Sequence, residues 1–298
     1  MKPRPVHGGR TYLITRRCSE RRFFLRPDDD TNNAFWYCLG WAALRHGMLI
    51  HAAVAMSNHV HVVLTDPDGR YPVLLRDFLS ILARCMNAQR GRWEHFWDAN
   101  QASVVHLEGE AAQLDKLVYT LTNPVGLVEH AHSWPGATAL QAILHGGTIV
   151  ATKPRHFFRD CDNGGELPET LTVNFTPPPT LANLEREDYA RLVEDRVKAV
   201  EKQRTAERAA QGKSVLGRRH ILDQHWNARP ADSEPRRQVS PGLACRDKWR
   251  RIELLQRSKA FLAAHEAAFQ AFRAGLRAVF PLGTWLMRQR ASIVLSTA

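Results

Sequence analysis

His59-Val60-His61 is the feature of this 298-residue chain that most plainly offers chemistry. It opens the run His59–Thr65 (HVHVVLT), whose β-branched residues predict a strand. Strand side chains alternate, so both imidazoles project from one face and Val60 from the other. Two neighbouring imidazoles can chelate a divalent cation. The spacing alone is weak evidence. The chain holds 14 histidines, and about two-thirds of one such pair is expected by chance. A second pair, His130-Ala131-His132, follows a helix and reads as a solvated segment. The first pair stands between Ala55-Met56-Ser57-Asn58 and Val62-Val63-Leu64, an apolar setting where polar residues need a reason. The competing account is a pair of half-buried core histidines with local hydrogen bonds.

Tyr119, one of five tyrosines, precedes Asn123 by four positions. On a helix, residues four apart share a face. There an amide oxygen can serve as a metal ligand and a phenol as a nucleophile. The competing account is an ordinary core tyrosine, with Asn123 closing its helix before Pro124. Pro124 also disfavours helical geometry at Asn123, so the shared face requires that the last turn survive.

The elements that must position these residues are legible in outline. Thr11–Arg17 reads as a strand, and the stretch from Asp28-Asp29-Asp30-Thr31 to Gly47 as a helix with acidic start and glycine stop. Met48–Met56 and His59–Thr65 read as strands joined by the two-residue turn Ser57-Asn58. Val73–Arg90 predicts a helix, Ala102–Leu107 a strand, and Glu110–Asn123 a further helix ended by Pro124. The order β-α-β-β-α-β-α predicts an α/β (α+β) fold, a ferredoxin-like antiparallel sheet flanked by helices. Beyond Trp134-Pro135-Gly136 the character changes. Residues 137–180 read as a β-containing connector, and residues 181–298 as a basic, mostly helical region. That region includes charged helices at Leu181–Gln211 and Arg246–Ala274 and a turn-rich linker at Pro230–Pro241. Residues 1–136 are then the expected catalytic domain.

Charge distribution separates the same regions. The net charge is +11, with 41 Lys and Arg against 30 Asp and Glu. Residues 1–180 hold 18 basic and 17 acidic residues, a net of +1, whereas residues 181–298 hold 23 and 13, a net of +10. Such a surplus suits a polyanionic partner, nucleic acid above all, although a basic surface serving solubility is the alternative. No run of about 18 apolar residues is present, which excludes a transmembrane helix. The basic, proline-broken start MKPRPVHGGR does not read as a secretory signal. Five scattered cysteines without a C-x-x-C pair suit free thiols and a cytoplasmic location.

Met56–Leu64 (MSNHVHVVL) and Lys116–Val128 (KLVYTLTNPVGLV) resemble the two signatures of single-tyrosine HUH transposases, in particular the group associated with repetitive extragenic palindromes. Gly9-Arg10-Thr11-Tyr12 and Thr15-x-Arg17 are similar to the family's first strand. Arg155–Arg159 and Phe280–Thr284 resemble C-terminal extensions in one branch more loosely. The resemblance implies that His59 and His61 are metal ligands, Asn123 the third ligand, and Tyr119 the nucleophile. It implies Mg2+ or Mn2+ as the metal, whereas imidazole ligands alone do not name one. It further implies cleavage and rejoining of single-stranded DNA beside hairpins, through a 5′-phosphotyrosine. Two departures are visible: many members have a longer linker between the strand pair and the helix, and the loop after the tyrosine helix differs. The family usually carries two more residues between Pro-Val and Gly-Leu-Val; here Val125 runs straight into Gly126, which shortens the loop after the tyrosine helix.

A phenol, with an ordinary pKa of about 10, is a poor nucleophile at neutral pH and needs a positioned phosphate. Arg16, Arg17, Arg21 and Arg22, and the basic helix from Arg246 to Lys259, are candidate phosphate contacts. Trp93, Trp97 and Trp134 are candidates either to stack on bases or to fill the core. Three rival readings remain at this stage: a hairpin-binding protein that no longer cleaves, a metal-dependent hydrolase acting through water, and Tyr189 as the nucleophile. The sequence leaves monomer or homodimer open.

Overall fold

The computed structural model describes residues 3–156, 167–231 and 241–296. Phe157–Arg159, Cys161 and positions 232–240 of the expected linker lie outside them. The elements run β1 (Arg10–Arg17), α1 (Asp29–His46), β2 (Leu49–Met56), β3 (His59–Asp66), α2 (Tyr71–Gln89), β4 (Ser103–Glu108) and α3 (Glu110–Leu121). They continue with α4 (Leu140–His145), β5 (Thr148–Thr152), β6 (Thr170–Asn174), α5 (Arg186–Ala210), α6 (Arg218–Asp223), β7 (Leu243–Cys245) and α7 (Lys248–Arg273). β8 (Val279–Phe280), α8 (Leu286–Arg290) and β9 (Val294–Leu295) end the chain.

The central sheet has the order β2-β3-β1-β4-β7. Its first four strands pair antiparallel throughout, as the ferredoxin-like reading expects. β7 departs from that reading: a three-residue strand from the basic C-terminal region pairs parallel to β4 and makes the sheet mixed. Ser57-Asn58 is the two-residue connection between β2 and β3. Helix α1 starts where Asp28 accepts a 2.7 Å hydrogen bond from the Thr31 N–H, and it ends at Gly47 in the left-handed region, φ 69°.

Alternation assigns the helices to faces. Tyr12 and Thr15 project from opposite faces of β1. The Tyr12 ring lies 4.8 Å from that of Tyr71 at the start of α2. α1 joins α2 on that side, where His46 and Asp77 share a 2.8 Å contact. Thr15 faces His61 across the β1–β3 register, and α3 carries Tyr119 over the same face. The β-α-β-β-α-β unit thus keeps α1 and α2 together, and α3 covers the other face.

The buried cluster draws on all three stretches of the chain. It includes Leu39 and Leu64, Leu171 and Val173 from β6, and Tyr189, Val193 and Val197 from α5. Cys18, Cys38 and Cys85 are buried free thiols, and Cys245 is a half-exposed one. Among the described residues, no helix is long and apolar enough to cross a membrane.

Gly40 shows how tightly β6 docks on α1. A Cβ there would stand 2.6 Å from Leu171 Cδ1 and 2.7 Å from Val173 Cγ2. Glycine is ordinarily unfavourable inside a helix; here close approach requires it. Gly40→Ala is expected to destabilise the fold by about 1–2 kcal/mol, because overpacking outweighs the helix-propensity gain of up to about 1 kcal/mol. Urea unfolding of both proteins checks this, and a stabilised variant would contradict the packing.

Candidate metal and nucleophile site

Four side chains from β3 and the α3 end converge. The His59 and His61 rings lie 4.8 Å apart, centroid to centroid, at 88°. The Tyr119 ring stands 5.3 Å from the His61 ring, edge to face. Asn123 brings its Oδ1 to 3.3 Å from His59 Nε2 and its Nδ2 to 3.3 Å from His61 Nε2. The expectation that Asn123 reaches the site along the helix face needs one correction. α3 ends at Leu121 with Thr122 as its cap, so Asn123 lies in the turn beyond. The Thr122 N–H still donates to Val118 O, and the Asn123 N–H to Thr120 O. This tightened turn delivers the amide without a continued helix.

The hydrogen bonds around each imidazole orient it. Asn58 Nδ2 donates to Arg21 O at 3.2 Å, which turns Asn58 Oδ1 toward His59. An amide oxygen only accepts, so His59 Nδ1–H donates to it, at 2.7 Å. His59 Nε2 is left as a lone pair aimed at Asn123. His61 Nδ1 shares a 2.8 Å hydrogen bond with the Thr15 hydroxyl. Donation by Nδ1–H would leave the His61 Nε2 lone pair facing the Asn123 amide nitrogen, and a ring held through its other nitrogen in this way is typical of metal-binding histidines.

This donor set fits a cation. The His59 lone pair and the Asn123 carbonyl oxygen, two acceptors, face each other at 3.3 Å with no proton between them. His59 Nε2, His61 Nε2 and Asn123 Oδ1 would hold the ion. Among the described residues, no three His, Cys, Asp or Glu side chains gather as a metal-binding group, so this set depends on the amide. Burial pushes the His59 pKa down to about 4, assisted by the charge of Arg17 and opposed by the Asn123 contact. Burial, the neighbouring His59 and Arg17 also hold His61 well below the ordinary imidazole value. Both rings are therefore neutral at pH 7, the form that binds metals.

Tyr119 is 39% exposed, whereas His61 is 4% exposed, so the phenol meets solvent above a recessed pair. Lys116, one turn earlier on α3, sets its ammonium 5.3 Å from the Tyr119 ring centroid. Sequence reasoning passed over Lys116, although its spacing of three from Tyr119 on a helix was the available signal. Tyr189 is different: its ring is buried, its hydroxyl has no hydrogen-bond partner among the described residues, and burial raises its pKa. It has no route to a substrate.

The arginines separate by strand alternation. Arg17 lies opposite His59 in the β1–β3 register, on the site face, and is exposed. Arg16 projects from the other face and holds a loop, donating to Asp98 O at 2.8 Å and to Asn100 O. Arg22 pairs with Glu20 at 2.8 Å and donates to Asn227. Arg246, just ahead of α7, pairs with Asp115, and Arg250 in α7 pairs with Glu108, so these charges anchor the helix, whereas Arg257 pairs with Glu253 within it. Trp134 is buried and donates to Ala55 O, and Trp97 donates to Leu79 O; Trp93 is 96% exposed. His130 and His132 stack on the surface, and His130 meets Glu201 at 3.2 Å.

A neutral His59 has a pH signature. Its unfolded pKa is about 6.5 and its folded value about 4. The unfolded chain therefore takes up the proton first. This contribution to stability is complete above pH 6.5 and is lost as pH falls from 6.5 toward 4. Histidine NMR is expected to show His59 protonated on Nδ1 at pH 7 and titrating near pH 4. Titration near 6.5 would contradict the burial described.

No family model matches the sequence, and no curated protein matches it. Among solved structures, the chain is similar to a REP-associated tyrosine transposase bound to a REP hairpin. That match has 16% identity and a TM-score of 0.42, and covers 49% of this chain and 86% of the other. The chain is also similar to one from Deinococcus radiodurans R1 described as a transposase. There the identity is 19% and the TM-score 0.29, with 39% of this chain and 94% of the other covered.

Proposed function

We propose that this protein is a metal-dependent transesterase acting on single-stranded DNA beside hairpins, with Tyr119 as nucleophile. The observation that carries the reading is the convergence, within one chain, of an exposed phenol with two neutral imidazoles and an amide. The resemblance of Met56–Leu64 and Lys116–Val128 to single-tyrosine HUH transposases supplies the substrate class. A bound Mg2+ or Mn2+ would supply charge to a non-bridging oxygen of the scissile phosphate and to the developing charge at the departing oxygen.

The residues of the chain perform the rest. His59, His61 and Asn123 fix where the phosphate sits, and Arg17 offers a charge on the same face. The Tyr119 oxygen attacks phosphorus, and its proton passes to solvent. The phosphorus bond to the 3′-oxygen breaks, and that oxygen takes up a proton to leave a free 3′-hydroxyl. The 5′-phosphate stays on Tyr119. The new ester conserves the phosphodiester bond energy, so attack by a second 3′-hydroxyl joins a new end and returns the phenol.

Labelled single-stranded hairpin DNA incubated with Mn2+ or Mg2+ tests this. The native protein is expected to form a covalent adduct that survives denaturation, and chelation of the metal to stop it. Tyr119→Phe should remove the adduct and lower cleavage by about 10³-fold or more, while DNA binding persists. Cleavage retained by Tyr119→Phe would point to a water-dependent hydrolase. Binding by the native protein without any adduct would point to a hairpin-binding protein.

A further inference from the structure

We propose that Arg204, on α5 of the basic C-terminal region, is a positioning residue that sets the Asn123 amide against the two imidazoles; this rests on the cation-site reading above. Arg204 Nη1 donates to Thr122 O and to Val125 O, both at 2.8 Å. The two carbonyls bracket Asn123-Pro124. Thr122 caps α3, so its carbonyl lies outside the helix ladder and is shared by Arg204 and the Val125 N–H, and a cation there also opposes the negative end of the helix.

Beyond Asn123 the turn is held by its own backbone, where Pro124 O accepts from the Leu127 and Val128 N–H groups at 2.9 and 3.1 Å; its Asn123 end is the looser one. Pro124 has no N–H to give, and the Asn123 N–H reaches Thr120 O only at 3.4 Å. The helix stops before Asn123, and only Pro124 and Val125 stand between Asn123 and Gly126. Val125 and Val128 form an isolated bridge across Gly126, whose φ of 120° closes the turn. The same α5 face holds the far end, where Glu201 accepts from the Ala131 N–H at 2.7 Å. The Gly217 N–H, ahead of α6, donates to Leu127 O in the middle.

The clamp is itself anchored. Val193, Val197 and Arg204 fall on one helical stripe, and the two valines are buried in the main core. A rigid helix thus carries the guanidinium to the turn, and the C-terminal region becomes part of the metal site without supplying a ligand.

Two readouts test this on the full-length protein: hydrogen exchange without metal, and Mn2+ affinity by electron paramagnetic resonance. Arg204→Ala is expected to raise exchange across residues 119–128, leave β1 and β3 protected, and weaken Mn2+ binding by about 10-fold or more. Arg204→Lys should recover part of both effects, and serves if the alanine variant does not fold. Unchanged exchange at 119–128 overturns the clamp. Raised exchange with unchanged Mn2+ affinity overturns its link to the site. If the native protein binds Mn2+ no better than a His59→Ala, His61→Ala double variant, the cation reading fails by itself. That failure appears in the native protein, apart from any effect of Arg204.

Discussion

The register between β1 and β3 is the constraint on which the site depends. Thr15 opposite His61 and Arg17 opposite His59 put an orienting hydroxyl, a guanidinium and two imidazoles on one face. A slip of one residue would turn all of them toward α1 and α2 and bring Val60, Val62 and Leu64 out beneath α3. The apolar half of β3, flush with the core, makes such a slip prohibitive. The hydrophobic pattern that folds the strand is therefore the same pattern that aims the histidines.

A second polar line shares that face deeper in the sheet. His51 Nδ1–H donates to Thr176 O at 2.8 Å, and its Nε2 meets the Thr65 hydroxyl at 2.8 Å. Thr65 in turn meets Thr11 at 2.7 Å. Burial holds the His51 pKa down, to about 4, so this imidazole also stays neutral. The face that carries the candidate site at one end thus carries a buried chain of hydrogen bonds at the other.

Local signals in the sequence were enough for the site's frame. The H-x-H alternation, the Ser57-Asn58 turn and the Pro124 stop each act within a few residues, and each has its counterpart in the structure. Alternation also held the answer for Arg16, which shares parity with the buried Tyr12 and Ile14, whereas Arg17 shares parity with Thr15. What depends on contacts between distant residues was not legible. β7 is three residues of ordinary apolar character, and nothing in Leu243-Ala244-Cys245 announces a parallel partner at His106–Glu108. Arg204 reads as one more charge on a solvated helix until its carbonyl partners, some eighty positions earlier, are known.

Both borders of the central sheet are occupied by later parts of the chain. β7 lies against β4 on one side. On the other, residues 137–139 exchange backbone hydrogen bonds with Ala53 and Ala55 of β2, and the Thr176 N–H donates to Ile50 O. A fragment ending near the close of the sequence signatures would strip both borders and leave two rows of bare amides and carbonyls, a template for strand-to-strand self-association. The later stretches of the chain thereby shield both edges of the sheet from such pairing.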